Sequence, residues 1–507
     1  MSGSISRSWR RFTRRLGATR AMLVIASVVV VIVMIVALVV HGGSSSTTAT
    51  SNTTATTAAP SASAAQQVLD QASTASPGVT ATTIRVVFPI VSLNTQAGKV
   101  GLASDTEYGF QVKGIHTFVN AINDAGGIHG RKIVPDIVQF DPTDQAAMRA
   151  LCKDWTEGSN PAFAVLEGLG TWEGDNQLCI TQEGHTPLLG QWATVSQYTT
   201  QAAPYLWWTG TDQTVLLNTL IDWGHTSGLL TTAHKVGILV GDRQSDQLAL
   251  KSAVLPALAK LGITDPVIGT IAASPDAQSA TMQAQAPLIV QQFRQAGVTS
   301  VIPLVPANAL FPYLGAETDQ AFLPKLLLSD YESSIEIALG LIPVPYEKAL
   351  DGQEGVTTFT LGGIDDNRPQ SQGGYDAGLR ACYATWKAHN APPAPPDSPY
   401  LEEQGPVAAW CQVIQLFAKA ADGAAATLNR RTFVQSMAKI QNFPGTYTPT
   451  LSYSPTKYYG PVDYRVVKVH TNNPPTSACI QPKFTSTPQQ TCWVVVQNWK
   501  PLTTGSS

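Results

Sequence analysis

The sequence predicts an α/β protein built as two doubly wound parallel-sheet lobes. Two observations carry that expectation. Short apolar segments alternate with segments whose apolar residues recur at helical spacing, the pattern of strands and helices in a parallel sheet covered on both faces. The alternation runs through two successive series of about 130 residues, one for each doubly wound unit. The chain of 507 residues has room for both.

The elements follow in order. Residues 1–20 hold Arg7, Arg10, Arg11, Arg14, Arg15 and Arg20 and no acid, so the formal charge of −3 divides into +6 here and −9 on the remainder. An acidic body argues against a nucleic-acid partner, because a phosphate-binding domain concentrates its bases within the fold. Residues 21–40, from Ala21 to Val40, carry no charge, and Ser27 is their one polar side chain. At 1.5 Å per residue such a helix spans about 30 Å, enough to cross a bilayer. The preceding arginines place the N-terminus in the cytoplasm and the body outside. The rival reading is a cleaved secretory signal and a secreted body. A signal has an apolar core of about 7–15 residues and an A-x-A-like cleavage site; this run is longer, and His41-Gly42-Gly43 fits such a site poorly.

Residues 41–79 are mostly Ser, Thr and Ala, with Asp70 as the only charge. They predict a disordered tether, because they lack the apolar side chains that offset ordering entropy. The chain as a whole, 44% hydrophobic, is not disordered.

The first series opens with a strand at Ile84–Ile90 and a helix at Tyr108–Ala125 that stops at Gly126-Gly127. A strand at Lys132–Gln139, a helix at Asp144–Trp155, a strand at Ala162–Leu166, a helix near Asp175–Glu183 and a strand at Thr186–Gly190 complete it. The second series starts at Lys235–Val240, again a buried-strand pattern. Helix Gln247–Leu261, strand Val267–Ile271, helix Ala277–Ala296, and strands Ser300–Val305 and Lys325–Leu328 follow. Gly355–Leu361 reads as a strand returning the chain to the first lobe. Helices near Tyr375–His389, Val407–Ala421 and Thr432–Gln441 lead to strands at Val462–Val469 and Cys492–Trp499. The lobe boundaries predicted are 80–208 with 359–455 for the first lobe and 209–358 with 456–507 for the second.

All six cysteines, Cys152, Cys179, Cys382, Cys411, Cys479 and Cys492, follow the apolar segment. An even number in an extracytoplasmic body favours disulfides. Fifteen connectivities are open, and pairing of neighbours is the expected one: Cys152–Cys179, Cys382–Cys411 and Cys479–Cys492.

The run Asn123-Asp124-Ala125-Gly126-Gly127-Ile128-His129-Gly130-Arg131-Lys132-Ile133 closely resembles the N-A-A-G-G-I-N-G-R-K-I signature of leucine/isoleucine/valine-binding proteins, which have the type 1 periplasmic-binding fold. The order of strands and helices agrees over about residues 80–470. The Cys152 to Cys179 spacing also resembles a family disulfide. The resemblance implies two lobes joined by a three-crossing hinge that close on a small ligand, with no cofactor. It places ligand groups after the strands, where helix N-termini point inward. Thr171 and Trp172 stand after the third strand, and Gln191, Trp192 and Thr194 after the fourth. In the second lobe Ser245, Asn308, Asp330 and Tyr331 are the candidates. Asp330 is placed to receive a ligand's ammonium, with Tyr331 or Glu332 holding that place if the alignment slips. The loop Asp242–Asp246 lacks the Tyr-Gly pair that relatives often carry. The two tryptophans suit either stacking on a flat ligand or packing between lobes.

Catalytic motifs do not fit. Gly168-x-Gly170-x-x-x-Gly174 is one residue too long for a dinucleotide fingerprint and lacks its acidic strand end. The eight histidines form no H-E-x-x-H, and there is no G-x-S-x-G elbow. The sequence therefore predicts a binding protein rather than an enzyme: a membrane-tethered extracytoplasmic receptor that captures a small molecule, amino-acid-like or otherwise polar or aromatic, for the permease of an ABC-type uptake transporter. The alternatives are a sensor signalling to a protein partner and an exported enzyme on the same scaffold.

Overall fold

The computed structural model describes residues 61–91, 106–141, 144–168, 175–191, 194–274, 279–331, 347–360, 377–389, 400–424, 427–471 and 492–503. All lie in the unit Ala59–Ser507. The helix expected at Ala21–Val40 lies outside the described residues. Among the described residues no helix is long and apolar enough to cross a membrane.

The expected tether is corrected from residue 61 onward. Ala62–Asp70 is a helix (α1), capped by Ser61, whose hydroxyl accepts the Ala64 N–H at 3.3 Å. Its alanines favour helix, and Leu69 and Ala72 are buried in the first lobe's core. Beyond it the chain is fastened by its backbone. Ser73 N–H donates to the Tyr205 hydroxyl at 2.7 Å, while the N–H groups of Arg430 and Arg431 donate to Ala75 and Ser73 carbonyls. Composition hid this segment because two apolar residues suffice when a finished surface awaits them.

The first sheet is built from β1 (Thr83–Val91), β2 (Lys132–Phe140), β3 (Ala164–Glu167), β4 (Leu188–Gly190) and β5 (Leu206–Trp208), all parallel, in the order β2-β1-β3-β4-β5. Between them run α2 (Thr106–Asp124), α3 (Gln145–Glu157), α4 (Asp175–Leu178, continued by a π turn over Cys179–Glu183) and α5 (Ser196–Gln201). The glycines after α2 have a backbone reason: Gly126, Gly127 and Gly130 have φ of 106°, 70° and 80°, a region that favours glycine. Asn123 closes this turn by exchanging two hydrogen bonds with the Ile133 backbone, at 2.9 and 2.7 Å. The matched signature is thus a splice between helix and strand.

The second lobe opens with α6 (Gln213–Thr226), then β6 (Val236–Gly241), α7 (Gln244–Ala249), a π turn and α8 (Leu255–Lys260). It continues with β7 (Val267–Ile271), α9 (Ser279–Gln295), β8 (Ser300–Leu304), α10 (Ala307–Asp319), β9 (Lys325–Ser329), α11 (Glu347–Leu350) and β10 (Glu354–Thr357). Helices α12 (Ala377–His389), α13 (Tyr400–Gly423) and α14 (Arg430–Met437) then pack on the first lobe, Trp386, Trp410 and Phe433 sharing a core with Phe88 and Phe118. A small hairpin of β11 (Phe443–Pro444) and β12 (Thr450–Leu451) precedes β13 (Asp463–His470) and β14 (Cys492–Pro501), which extend the second sheet antiparallel. That sheet reads β14-β13-β10-β9-β8-β6-β7. The strand expected to return the chain to the first lobe is therefore corrected. As β10 it belongs to the second sheet, pairing parallel with β9 and antiparallel with β13, and the chain leaves after it.

The chain passes between the lobes three times: after β5, after β10 and before β13. The passages hold one another. Trp208 N–H donates to the Tyr458 carbonyl at 2.8 Å, the Tyr453 hydroxyl donates to the Trp208 carbonyl at 3.0 Å, and the Thr211 and Thr358 hydroxyls meet at 3.1 Å.

Two of the expected disulfides are formed. Cys152–Cys179 joins α3 to the π turn, and Cys382–Cys411 joins α12 to α13. Cys479 lies outside the described residues. Eight described elements had escaped the sequence: helices α1, α5, α6, α10 and α11, and strands β5, β11 and β12.

Candidate functional site

The five strands of the first sheet and the five parallel strands of the second share one order, so each sheet has a switch point where the direction of winding reverses: between β1 and β3 in the first lobe and between β6 and β8 in the second. In open α/β sheets a crevice for ligands forms outside the carboxyl ends of the strands at such points. The residues closing the strands at and beside those points define the candidate site.

In the first lobe β3 ends at Glu167, followed by Gly168, and β4 ends at Gly190, followed by Gln191. Both glycines are required by rings. A Cβ on Gly168 would lie 2.6 Å from the Trp410 indole, and one on Gly190 would lie 2.5 Å from Trp208 and 3.2 Å from Glu167 Oε2. Gln191 is 2% exposed, yet neither its Oε1 nor its Nε2 has a hydrogen-bond partner. A buried amide without partners costs about 1–3 kcal/mol. Thr194, also buried, accepts the Gln213 N–H at its carbonyl, 3.1 Å away, and so ties this loop to the first passage. Thr171, Trp172 and Trp192 lie outside the described residues.

In the second lobe Asp330 follows β9. Its Oδ2 accepts the N–H and hydroxyl of Thr358, at 2.6 and 2.9 Å, while Oδ1 has no partner. Burial pushes the carboxyl up to about 6, against the pull of Thr357, Thr358 and the Arg465 charge. The residue expected to meet an ammonium thus holds the second passage with one oxygen and keeps the other free. Tyr331 is buried, its hydroxyl donating to Asp246 Oδ1 at 2.6 Å. Arg243 clasps the same carboxylate through Nε at 2.9 Å and Nη2 at 2.7 Å. Arg243 and Tyr331 therefore act together in fixing the loops after β6 and β9. Ser245 and Asn308 are half-buried in the first turns of α7 and α10.

Three polar groups beside the passages had not been singled out. Asp212 caps α6, its Oδ1 accepting the Thr214 and Val215 N–H groups at 2.9 and 3.3 Å. It also takes the Ser196 and Thr199 hydroxyls, and burial lifts its carboxyl to about 6. An Asp directly before an apolar helical run was a legible capping signal. Lys457 gives its ammonium to the carbonyls of Ser452, Tyr459 and Gly460 at 2.8, 2.6 and 3.0 Å, with the charge 4.1 Å above the Tyr459 ring; burial lowers it to about 7. Arg465, fully buried on β13, lies over Trp499. Nothing in their local sequence marks Lys457 or Arg465.

Among the described residues no group of His, Cys, Asp and Glu could hold a metal ion. What the strand ends offer is hydrogen bonding: a carboxamide and a carboxylate oxygen.

Residues 90–328 match a family model described as periplasmic binding protein. Among solved structures, a branched-chain amino acid ABC transporter protein from Thermus thermophilus with bound valine is 12% identical at a TM-score of 0.58, covering 83% of this chain and 97% of its own. A solute-binding protein from R. palustris in complex with 4-hydroxybenzoate is 14% identical at 0.56, covering 83% and 98%. A fatty acid ABC transporter substrate-binding protein from Thermomonospora curvata is 16% identical at 0.55, covering 84% and 94%. No curated protein sequence matches the chain. The matched family model and these neighbours describe periplasmic solute-binding proteins of ABC transporters, and the chain shares their fold.

Proposed function

We propose that this protein is a membrane-tethered extracytoplasmic solute receptor that captures a small molecule between its lobes and delivers it to an ABC-type permease. One observation carries the reading: Gln191, buried at the carboxyl end of β4, has a carboxamide with no partner at either atom. Buried polar groups are nearly always bonded, and a ligand in the crevice would supply the missing bonds. The unpartnered Asp330 Oδ1 supports the same view from the second lobe. Neighbours carrying valine and 4-hydroxybenzoate put amino acids and aromatic acids first among ligands to try. The basic residues 1–20, the apolar residues 21–40 and the uncharged residues 41–60 support an anchor and a leash. A leash raises the receptor's effective concentration near a permease and conveys no rigid-body motion, which favours capture over signalling.

The test is thermal melting of the purified chain against a metabolite library. A ligand at 100 times its Kd adds about 2.7 kcal/mol by mass action. A hit whose shift disappears in Gln191→Leu supports the site; a library that shifts nothing, or a shift untouched by Gln191→Leu, refutes it.

A further inference from the structure

The third passage is built around a charge that capture by itself leaves unexplained. Ser454-Pro455-Thr456-Lys457 is a turn, closed by the Lys457 N–H donating to the Ser454 carbonyl at 3.1 Å. Its proline stands second, where a fixed φ suits such a turn. The turn folds Lys457 back over its own loop. There the ammonium donates to the Ser452, Tyr459 and Gly460 carbonyls at 2.8, 2.6 and 3.0 Å and lies 4.1 Å from the Tyr459 ring. An ammonium has three donors, and the loop supplies three acceptors. Carbonyl oxygens aimed at one point repel one another, so a cation among them is what lets the loop keep this shape.

The loop in turn grips the end of β5. Trp208 N–H donates to the Tyr458 carbonyl at 2.8 Å, Tyr459 pairs with Trp208 in a parallel bridge, and the Tyr453 hydroxyl donates to the Trp208 carbonyl at 3.0 Å. Trp208 stands opposite Gly190 in the sheet, and its ring closes so tightly that a Cβ on Gly190 would lie 2.5 Å away. The next amide, Thr209 N–H, donates to the Gly190 carbonyl at 2.8 Å. Gly190 leads directly into Gln191.

We infer that Lys457 is a positioning residue for capture: acting through the loop Ser452–Gly460 and Trp208, its ammonium fixes the end of β4 and the carboxamide of Gln191. The inference rests on the reading of Gln191 as the group that meets the ligand. The cage itself is a site for one small ammonium, filled in this chain by its own side chain.

The test uses the full chain without ligand, so it can fail separately from the capture reading. At pH 6 the ammonium is charged, since burial lowers it only to about 7. Lys457→Met keeps the stem and removes the charge, while Lys457→Ala also empties the cage. In both, hydrogen-exchange protection at the Trp208 and Thr209 amides should fall about tenfold or more, the worth of one charge-assisted hydrogen bond. The Thr299 amide, which donates to Lys235 in the second lobe, should keep its protection. The side-chain amide resonance of Gln191, assigned by its loss in Gln191→Leu, should shift in both variants. Added ethylammonium should restore the two amides and the resonance in Lys457→Ala. It should restore nothing in Lys457→Met, whose cage is filled, and tetramethylammonium, with no N–H to donate, should restore neither variant. If Lys457→Ala fails to fold, Lys457→Met carries the test through the amides and the resonance. Unchanged protection at Trp208 and Thr209, an equal fall at Thr299, or an unmoved Gln191 resonance would overturn the inference. So would a folded Lys457→Ala that ethylammonium leaves unrestored, or that tetramethylammonium restores equally well.

Discussion

Gly168→Ala measures how tightly the end of β3 is closed. The added Cβ would lie 2.6, 2.7 and 2.8 Å from three atoms of the Trp410 indole, where carbon atoms prefer about 3.5–4.0 Å. The ring has nowhere to retreat. It is fully buried, its centroid is 5.8 Å from that of Phe88, its Nε1–H donates to Gln111 at 3.3 Å, and the next residue, Cys411, is bonded to Cys382. Overpacking of this kind costs about 1–3 kcal/mol. For a domain of this size each kcal/mol lowers the melting midpoint by about 2–4 °C. The assay is the first-lobe melting midpoint of four proteins: the native chain, Gly168→Ala, Trp410→Leu and the double variant. Trp410→Leu is destabilising by itself, but with the ring gone the alanine should cost at least about 1 kcal/mol less. An unchanged midpoint in Gly168→Ala, or the same penalty in both backgrounds, would refute the reasoning.

Two further outcomes follow from buried groups outside the cleft. Leu69→Ala should destabilise the first lobe by about 2–5 kcal/mol and open residues 61–79 to proteolysis, since Leu69 is buried in the lobe core; no change in denaturation midpoint or cleavage would restore the tether up to residue 79. Glu317, fully buried on α10 beside Tyr313, has its carboxyl pushed well above the ordinary range by burial. Its contribution to stability is therefore present at acid pH and lost as pH rises above its unfolded value. Glu317→Gln should raise the denaturation midpoint at pH 8 and change it little at pH 4, and an equal effect at both would contradict this.

The regular layers were legible because periodicity is a local signal. Strands such as β6 and β8, buried along their whole length, read as uninterrupted apolar runs, and α2 announced its end in glycines. The elements that escaped depend on their surroundings. Strand β5 is three residues long and owes its place to β4 and the third passage. Helix α10 carries Pro312 inside it, and α1 packs on a surface made by residues far along the chain. The site divides the same way. Gln191 and Asp330 were placed by their position after strands, but Asp330's bond to Thr358 joins residues that only the folded chain brings together. Lys457 and Arg465 draw their surroundings from tertiary contacts, so no local pattern could mark them.

The fastening of residues 61–76 has a mechanical consequence. Their bonds run to Tyr205, Leu428, Arg430 and Arg431, and Arg430 itself donates to the Gly184 and Ala162 carbonyls and to Thr186. These anchor points all belong to one lobe, at the amino ends of its strands. Tension arriving from before Ser61 would be borne by this knot, like a mooring line made fast to the hull. The passages between the lobes would be spared the load.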